Sequence, residues 1–102
     1  NQNPSEGVSD CELKFRTHAI QRMAQRNVAV RDVRNVVEHG ETIEEYPDDQ
    51  PYPSRLMLGW SSDRPLHVVA AEDVDANRVY VITVYEPDPA RWTEDFKERI
   101  NR

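Results

Sequence analysis

His18, Arg22 and Arg26 are residue types that can do acid–base and phosphate chemistry, and they recur every four residues. A helix that begins near Thr17 would place all three on one stripe, because residues four apart share a helix face. A cationic stripe on a packed helix could hold an anion such as a phosphate. The same spacing is typical of a solvated helix face, so spacing alone leaves both interpretations open.

His67 and Tyr85 belong to two predicted strands. A strand histidine can act as general acid or base near neutral pH, or it can be a structural, hydrogen-bonded residue. Tyr85, at the end of its strand, would either donate to a phosphate or cap the core. Metal-independent phosphodiester chemistry needs only a base, an acid and cations. His18, Arg22 and His67 would supply them if the first helix lies beside the sheet face that carries His67.

Metal and cofactor sites are not indicated by the sequence. Cys11 is the only cysteine, the histidines lack His-x-x-x-His spacing, and the acids from Glu44 to Asp49 lack the glycine of a calcium loop. Three glycines do not build a phosphate-binding loop or a dinucleotide fingerprint. We therefore expect neither a metal nor a cofactor.

The charge of the chain is unevenly distributed. The net charge of −6 argues against broad, non-specific adhesion to nucleic acid. Residues 13–34, however, contain six basic residues and one acid, whereas residues 35–50 contain six acids and no base. This pattern predicts either a basic cleft on an acidic body or internal pairing of the two halves.

The length of 102 residues fits one domain. We expect residues 1–12 to be a disordered tail and residues 13–102 to be the folded domain. No apolar run approaches the roughly 20 residues that span a bilayer, and no signal peptide pattern opens the chain. With a single cysteine, these features predict a cytoplasmic protein without membrane contact.

Two helices are predicted before the strands. The first runs from Thr17 to about Gln25, with Asn27 in the left-handed turn after it. Its expected core face consists of Ala19, Ile20, Met23 and Ala24. The second contains valines at helical spacing and ends at Gly40.

Four strands and a last helix complete the predicted order. Apolar alternation and polar turns indicate strands at 41–46, 55–60, 65–73 and 78–85. Pro89 would open a final helix whose apolar stripe is Trp92, Phe96 and Ile100. The economical arrangement is an α+β fold, in which two N-terminal helices and a C-terminal helix pack on a four-stranded antiparallel sheet.

Three segments resemble a known bacterial family. The motif His18-Ala19 followed by Arg22-Met23 and Arg26 is similar to the domain-of-unknown-function family numbered 4258, as are PLHVVAAED (65–73) and VYVITVYEPDP (79–89). The resemblance covers roughly residues 13–92. Ala29 is a departure, since Ser or Thr usually stands there to cap the second helix.

The resemblance implies a relationship to the RelE/ParE-like toxins, which have two N-terminal helices and a curved antiparallel sheet. Some of those proteins cut messenger RNA without metal, and others cut nothing. The first hypothesis is therefore metal-independent RNA cleavage, with His18, Arg22 and His67 as catalytic candidates and Arg26 and Tyr85 as substrate ligands. Its partners would be RNA or the ribosome. The alternative is a non-catalytic module of the same fold that binds a protein such as an antitoxin. A third possibility is that the last helix mediates homodimerisation.

Overall fold

The structure is a computed structural model that describes residues 11–100. Two helices pack on one face of a five-stranded mixed sheet whose strand order is β1-β5-β4-β3-β2. The helices are α1 (Thr17–Arg26) and α2 (Val30–His39). The strands are β1 (Glu12–Phe15), β2 (Glu41–Tyr46), β3 (Ser54–Ser61), β4 (Arg64–Asp73) and β5 (Arg78–Tyr85).

Local hydrogen bonds define the ends of the helices. Asn27 adopts φ 56° and ψ 50°, and this left-handed residue ends α1 as the sequence predicted. Ala29 has no side chain that could cap α2; instead the Asp32 carboxylate accepts the Ala29 N–H at 3.0 Å. At the other end of α2, the Gly40 N–H donates to the Val36 carbonyl at 2.7 Å.

The main core lies between the helices and the sheet. On α2 the buried residues are Val33, Val36 and Val37, and on β4 they are Leu66, Val68 and Ala70. On α1 only Ala19 and Met23 are buried. Ile20, which is 54% exposed, and Ala24, which is also exposed, are contrary to our expectation. Each follows by about 100° around the helix a residue that faces the sheet, Ala19 or Met23.

The sheet differs from the four-stranded antiparallel sheet that the sequence predicted. β1 is a fifth strand that pairs parallel to β5, with Leu13 opposite Val79 and Phe15 opposite Val81. The other pairings are antiparallel. β1 has only four residues, and its partner strand begins 66 positions later. Such a pairing has no local sequence signal.

The predicted C-terminal helix is also wrong, since no helix follows β5 among the described residues. Residues 87–100, which we call the C-terminal segment, form turns and one antiparallel bridge between Trp92 and Arg99. The Thr93 hydroxyl donates to Asp95, and the Asp95 carboxylate accepts the Lys97 N–H. These local bonds compete with a helix, and Phe96 adopts φ 62°.

Most of the predicted disordered tail lies outside the described residues. The last two residues of that range are part of the fold: Cys11 is buried, and Glu12 begins β1. Neither of the two helices, each ten residues long, has the length or apolar character needed to cross a membrane.

Candidate functional site

The first group of candidate residues lies on α1. His18, Arg22 and Arg26 are all exposed, and they lie along one flank of the helix because they are four residues apart. Within the described range, Arg22 makes one long hydrogen bond, 3.5 Å, to the Gln25 side chain. Arg26 lines a shallow cleft with Glu86, Pro87, Asp88 and Pro89.

Two further arginines extend this basic region around the corner between α1 and α2. Arg31 is exposed in the first turn of α2. Arg64, from β4, donates to the carbonyl oxygens of Arg26 at 2.9 Å and Asn27 at 3.2 Å. We call Arg22, Arg26, Arg31 and Arg64 the arginine surface. Within residues 11–100, none of the four forms an ion pair with a carboxylate.

The acids that follow α2 do not neutralise the arginine surface. Glu41 pairs with Lys97 at 3.1 Å, and Glu44 lies 3.8 Å from Arg99. Both bases belong to the C-terminal segment. The charge pattern left open either a basic cleft or internal pairing of the basic and acidic stretches. Among the described residues, β2 forms ion pairs with the C-terminal segment and not with α1.

His67 lies on the opposite face of the sheet from the helices. It alternates with Leu66 and Val68, which are in the helix-facing core, and its own side chain is fully buried. Its Nε2 lies 2.9 Å from the Phe96 carbonyl oxygen, and its Nδ1 lies 3.1 Å from the Tyr85 hydroxyl. A carbonyl oxygen only accepts, so Nε2 carries the hydrogen and Nδ1 accepts from Tyr85 when the ring is neutral.

The surroundings of His67 are apolar and aromatic. The Trp92 ring packs edge-on against the imidazole at a centroid distance of 4.4 Å. Burial is the main cause that lowers the pKa of His67, and burial also raises the pKa of Tyr85. Both effects favour the neutral forms. At neutral pH, His67 and Tyr85 are therefore uncharged and hydrogen-bonded to each other, as in a structural contact.

Tyr46 and Glu44 form a second polar pair near His67. The Tyr46 hydroxyl donates to the Glu44 carboxylate at 2.5 Å. Burial, followed by this hydrogen bond, raises the pKa of Tyr46 to about 12. Arg99 lies 4.8 Å from the Trp92 ring centroid as well as near Glu44, so the C-terminal segment closes this face of the sheet.

The candidate residues thus form two separate groups. His18, Arg22 and Arg26 lie together on the helical side, and His67 and Tyr85 lie together beneath the C-terminal segment. The sheet separates the groups, so the structure does not bring His67 to His18 and Arg22. In addition, both ring nitrogens of His67 already have partners.

Sequence reasoning missed a cavity beside Trp60. It has a volume of about 440 Å³ and lies between the end of α2, β3 and the C-terminal segment. Trp60 is 46% exposed at its wall. The available signal was a tryptophan between Gly59 and the polar turn that follows β3, but only the structure shows which residues surround it.

Between residues 11 and 100, no group of three or more His, Cys, Asp or Glu side chains is placed to hold a metal ion. Every buried side-chain nitrogen or oxygen in that range has a hydrogen-bond partner.

Comparison with known proteins assigns the chain to a family. No curated protein and no solved structure matches it. A family model, described as a domain of unknown function (DUF4258), matches residues 15–86. The match includes α1, α2 and β2 to β5, and it ends one residue before the C-terminal segment. Because the model covers most of its length, this chain belongs to the DUF4258 family.

Proposed function

We propose that this domain binds RNA through phosphate contacts made by the arginine surface. The observation that carries the proposal is that Arg22, Arg26, Arg31 and Arg64 are clustered yet form no ion pair with an acid of residues 11–100. Arginine suits phosphate because its planar guanidinium donates two parallel hydrogen bonds to one anion.

The acids of β2 lie away from the arginine surface, whereas Glu86 and Asp88 line the same cleft as Arg26. α1 packs on β5, whereas Glu41, Glu44 and Glu45 lie on β2 at the far edge of the sheet. The two strands are three positions apart, or roughly 14 Å at about 4.8 Å per strand. The Debye length at physiological ionic strength is about 8 Å, so screening weakens the effect of those acids on α1.

We propose binding of RNA and not its cleavage. Acid–base cleavage by His18, Arg22 and His67 requires their side chains to meet at one phosphate, and the sheet stands between His67 and the other two. The partners of the His67 ring nitrogens are Tyr85 and the Phe96 carbonyl, so neither nitrogen faces the arginine surface.

The test is fluorescence anisotropy with a labelled single-stranded RNA over a range of salt concentrations. We expect wild-type protein to bind with a dissociation constant of roughly 1 to 100 µM, which is typical of non-specific electrostatic contacts. Arg22→Ala and Arg26→Ala should each weaken binding. Each should also reduce the dependence of log K on log salt by about 0.7, the contribution of one phosphate contact on a single strand.

Lys97→Ala is the matched control, because it removes the same charge from an exposed side chain that pairs with Glu41 on β2, away from α1. It should leave affinity and salt slope close to wild type. Equal losses in Arg26→Ala and Lys97→Ala would mean that only net charge matters. Absence of RNA binding at low salt would reject the proposal.

A further inference from the structure

The Trp60 cavity has one aromatic wall. The Trp60 ring is held from one side by Phe96, whose ring packs edge-on at a centroid distance of 6.0 Å. Because Trp60 is 46% exposed, part of its ring remains open to a ligand. A cation is attracted to the face of an aromatic ring when it lies within about 6 Å of the ring centroid, and tryptophan gives the strongest attraction.

The polar wall of the cavity carries a surplus of negative charge. Its carboxylates are Glu41 and Asp95 and its one ammonium is Lys97, so the formal charge is −1 when His39 is neutral. Lys97 pairs with Glu41 at 3.1 Å and also attracts Asp95, so one ammonium group serves two carboxylates. The C-terminal end of α2, the negative end of its dipole, forms part of the same wall.

Asp95 has one carboxylate oxygen available. Its Oδ1 accepts from the Thr93 hydroxyl at 2.7 Å and from the Lys97 backbone N–H at 3.2 Å. Its Oδ2 makes no hydrogen bond within the described chain. The hydroxyl of Thr93 is the main cause that lowers the pKa of Asp95, so this carboxylate stays ionised at neutral pH.

Asn35 adds a neutral polar group to the rim. It is exposed on α2, one turn before His39, and its amide makes no hydrogen bond with residues 11–100. A planar group with several N–H donors would satisfy the Asn35 carbonyl oxygen and Asp95 Oδ2 while it lies against Trp60. Guanidinium has that shape, with five donors and a face that stacks on aromatic rings.

We propose that the Trp60 cavity binds the guanidinium group of an arginine presented by a basic protein partner. The negative surplus favours a cation over a phosphate, and the exposed indole favours a planar cation over a compact ammonium. The neighbouring acids of β2 would attract a basic segment to this edge of the sheet. This site is separate from the arginine surface, so it does not depend on RNA binding.

The test is a ¹H–¹⁵N nuclear magnetic resonance titration of the full chain with the peptide acetyl-Gly-Arg-Gly-amide. The signals to follow are the Trp60 indole N–H and the Asn35 side-chain amide. The buried Trp92 indole serves as an internal reference for folding. We expect saturable shifts at Trp60 and Asn35, and none when citrulline, a neutral near-isostere, replaces the arginine.

Two variants test the named contacts. Trp60→Leu should weaken the affinity for the peptide, measured from the Asn35 shift, about 2- to 30-fold. This is the range for a cation–π contact that is exposed to partly desolvated. Asp95→Asn should weaken binding by up to about fivefold, as for an exposed ion pair. Asp75→Asn removes the same charge from the β4–β5 turn, at the other end of β4 from Trp60, and should bind like wild type.

Several outcomes would overturn the proposal. Equal shifts with the citrulline peptide would remove the role of charge, and an unchanged response in Trp60→Leu would remove the aromatic wall. A response to adenosine monophosphate but not to the arginine peptide would make the cavity a nucleobase site. No shift at roughly 50 mM peptide, far above the millimolar range of weak sites, would also reject it.

Discussion

His67 Nε2 lies 2.9 Å from the carbonyl oxygen of Phe96, so β4 and the C-terminal segment share a hydrogen bond across 29 positions of the chain. Phe96 itself adopts φ 62°, a backbone region that bulky residues rarely occupy. It is held there by this hydrogen bond, by its own N–H donating to the Thr93 carbonyl at 2.8 Å, and by the packing of its ring on Trp60. His67 therefore anchors the segment that buries it.

This anchor makes stability depend on pH. Burial lowers the pKa of His67 below the usual value of 6.5 in the folded state, so at mildly acidic pH the unfolded chain binds the additional proton. We expect the free energy of unfolding to fall as pH drops through about 6.5 toward the lower folded pKa, and to be independent of this group well above 6.5. Urea denaturation at a series of pH values between 8 and 5 measures this change in the free energy of unfolding.

The contribution of His67 is isolated by substitution. His67→Gln can keep one donor in the site, and it should be less stable than wild type at pH 8 but lose less on acidification. His39→Gln, at a side chain that is 70% exposed, should keep the wild-type loss. If His67→Gln retained the full pH dependence, the buried imidazole would not be its source.

The two tryptophans should differ strongly in their effect on stability. Trp92 is 5% exposed and packs on His67, so Trp92→Ala should cost about 3–5 kcal/mol, as for other buried aromatic residues. Trp60 is 46% exposed, and Trp60→Ala should cost much less. Denaturant midpoints for the two variants give the comparison; similar losses would contradict the placement of the C-terminal segment over His67.

Gly59 on β3 lies directly against Val36 of α2. A Cβ at this position would lie 2.5 Å from Val36 Cγ2 and 3.0 Å from Val36 Cβ. Gly59→Ala should therefore cost about 1–3 kcal/mol through overpacking. Val36→Ala removes the nearest methyl group, so the double variant should be less destabilised than the sum of the two single changes, by at least about 0.5 kcal/mol. Strict additivity in urea denaturation would argue against the contact.

The sequence predicted the bounds of several helices and strands well, from the apolar periodicity within each of them. The strands at 41–46 and 78–85 have the predicted bounds, and α1 ends one residue beyond the expected Gln25. β1 could not be predicted in the same way, because four residues have little periodicity and their pairing depends on a distant strand. The last helix was wrong because the Trp92, Phe96 and Ile100 stripe is also compatible with turns that place Trp92 on His67.

The candidate site shows a similar limit. Alternation along β4 puts His67 on the face opposite Leu66 and Val68. It did not indicate which face the helices would cover or that the C-terminal segment would cover the other. Those facts decide whether His18 and His67 can act together, and they depend on long-range packing rather than on local pattern.

The separation of His18 from His67 predicts the outcome of an RNA cleavage assay. A labelled single-stranded RNA incubated in EDTA with wild-type protein, with and without translating ribosomes, should remain intact beyond background. His18→Ala, Arg22→Ala and His67→Ala should then be indistinguishable from wild type, since the sheet keeps His67 apart from His18 and Arg22. Metal-independent cleavage that fell at least about a hundredfold in His67→Ala, the loss expected for a general acid or base, would contradict this. It would mean that His67 reacts in a conformation in which Phe96 and Trp92 have moved away from its ring.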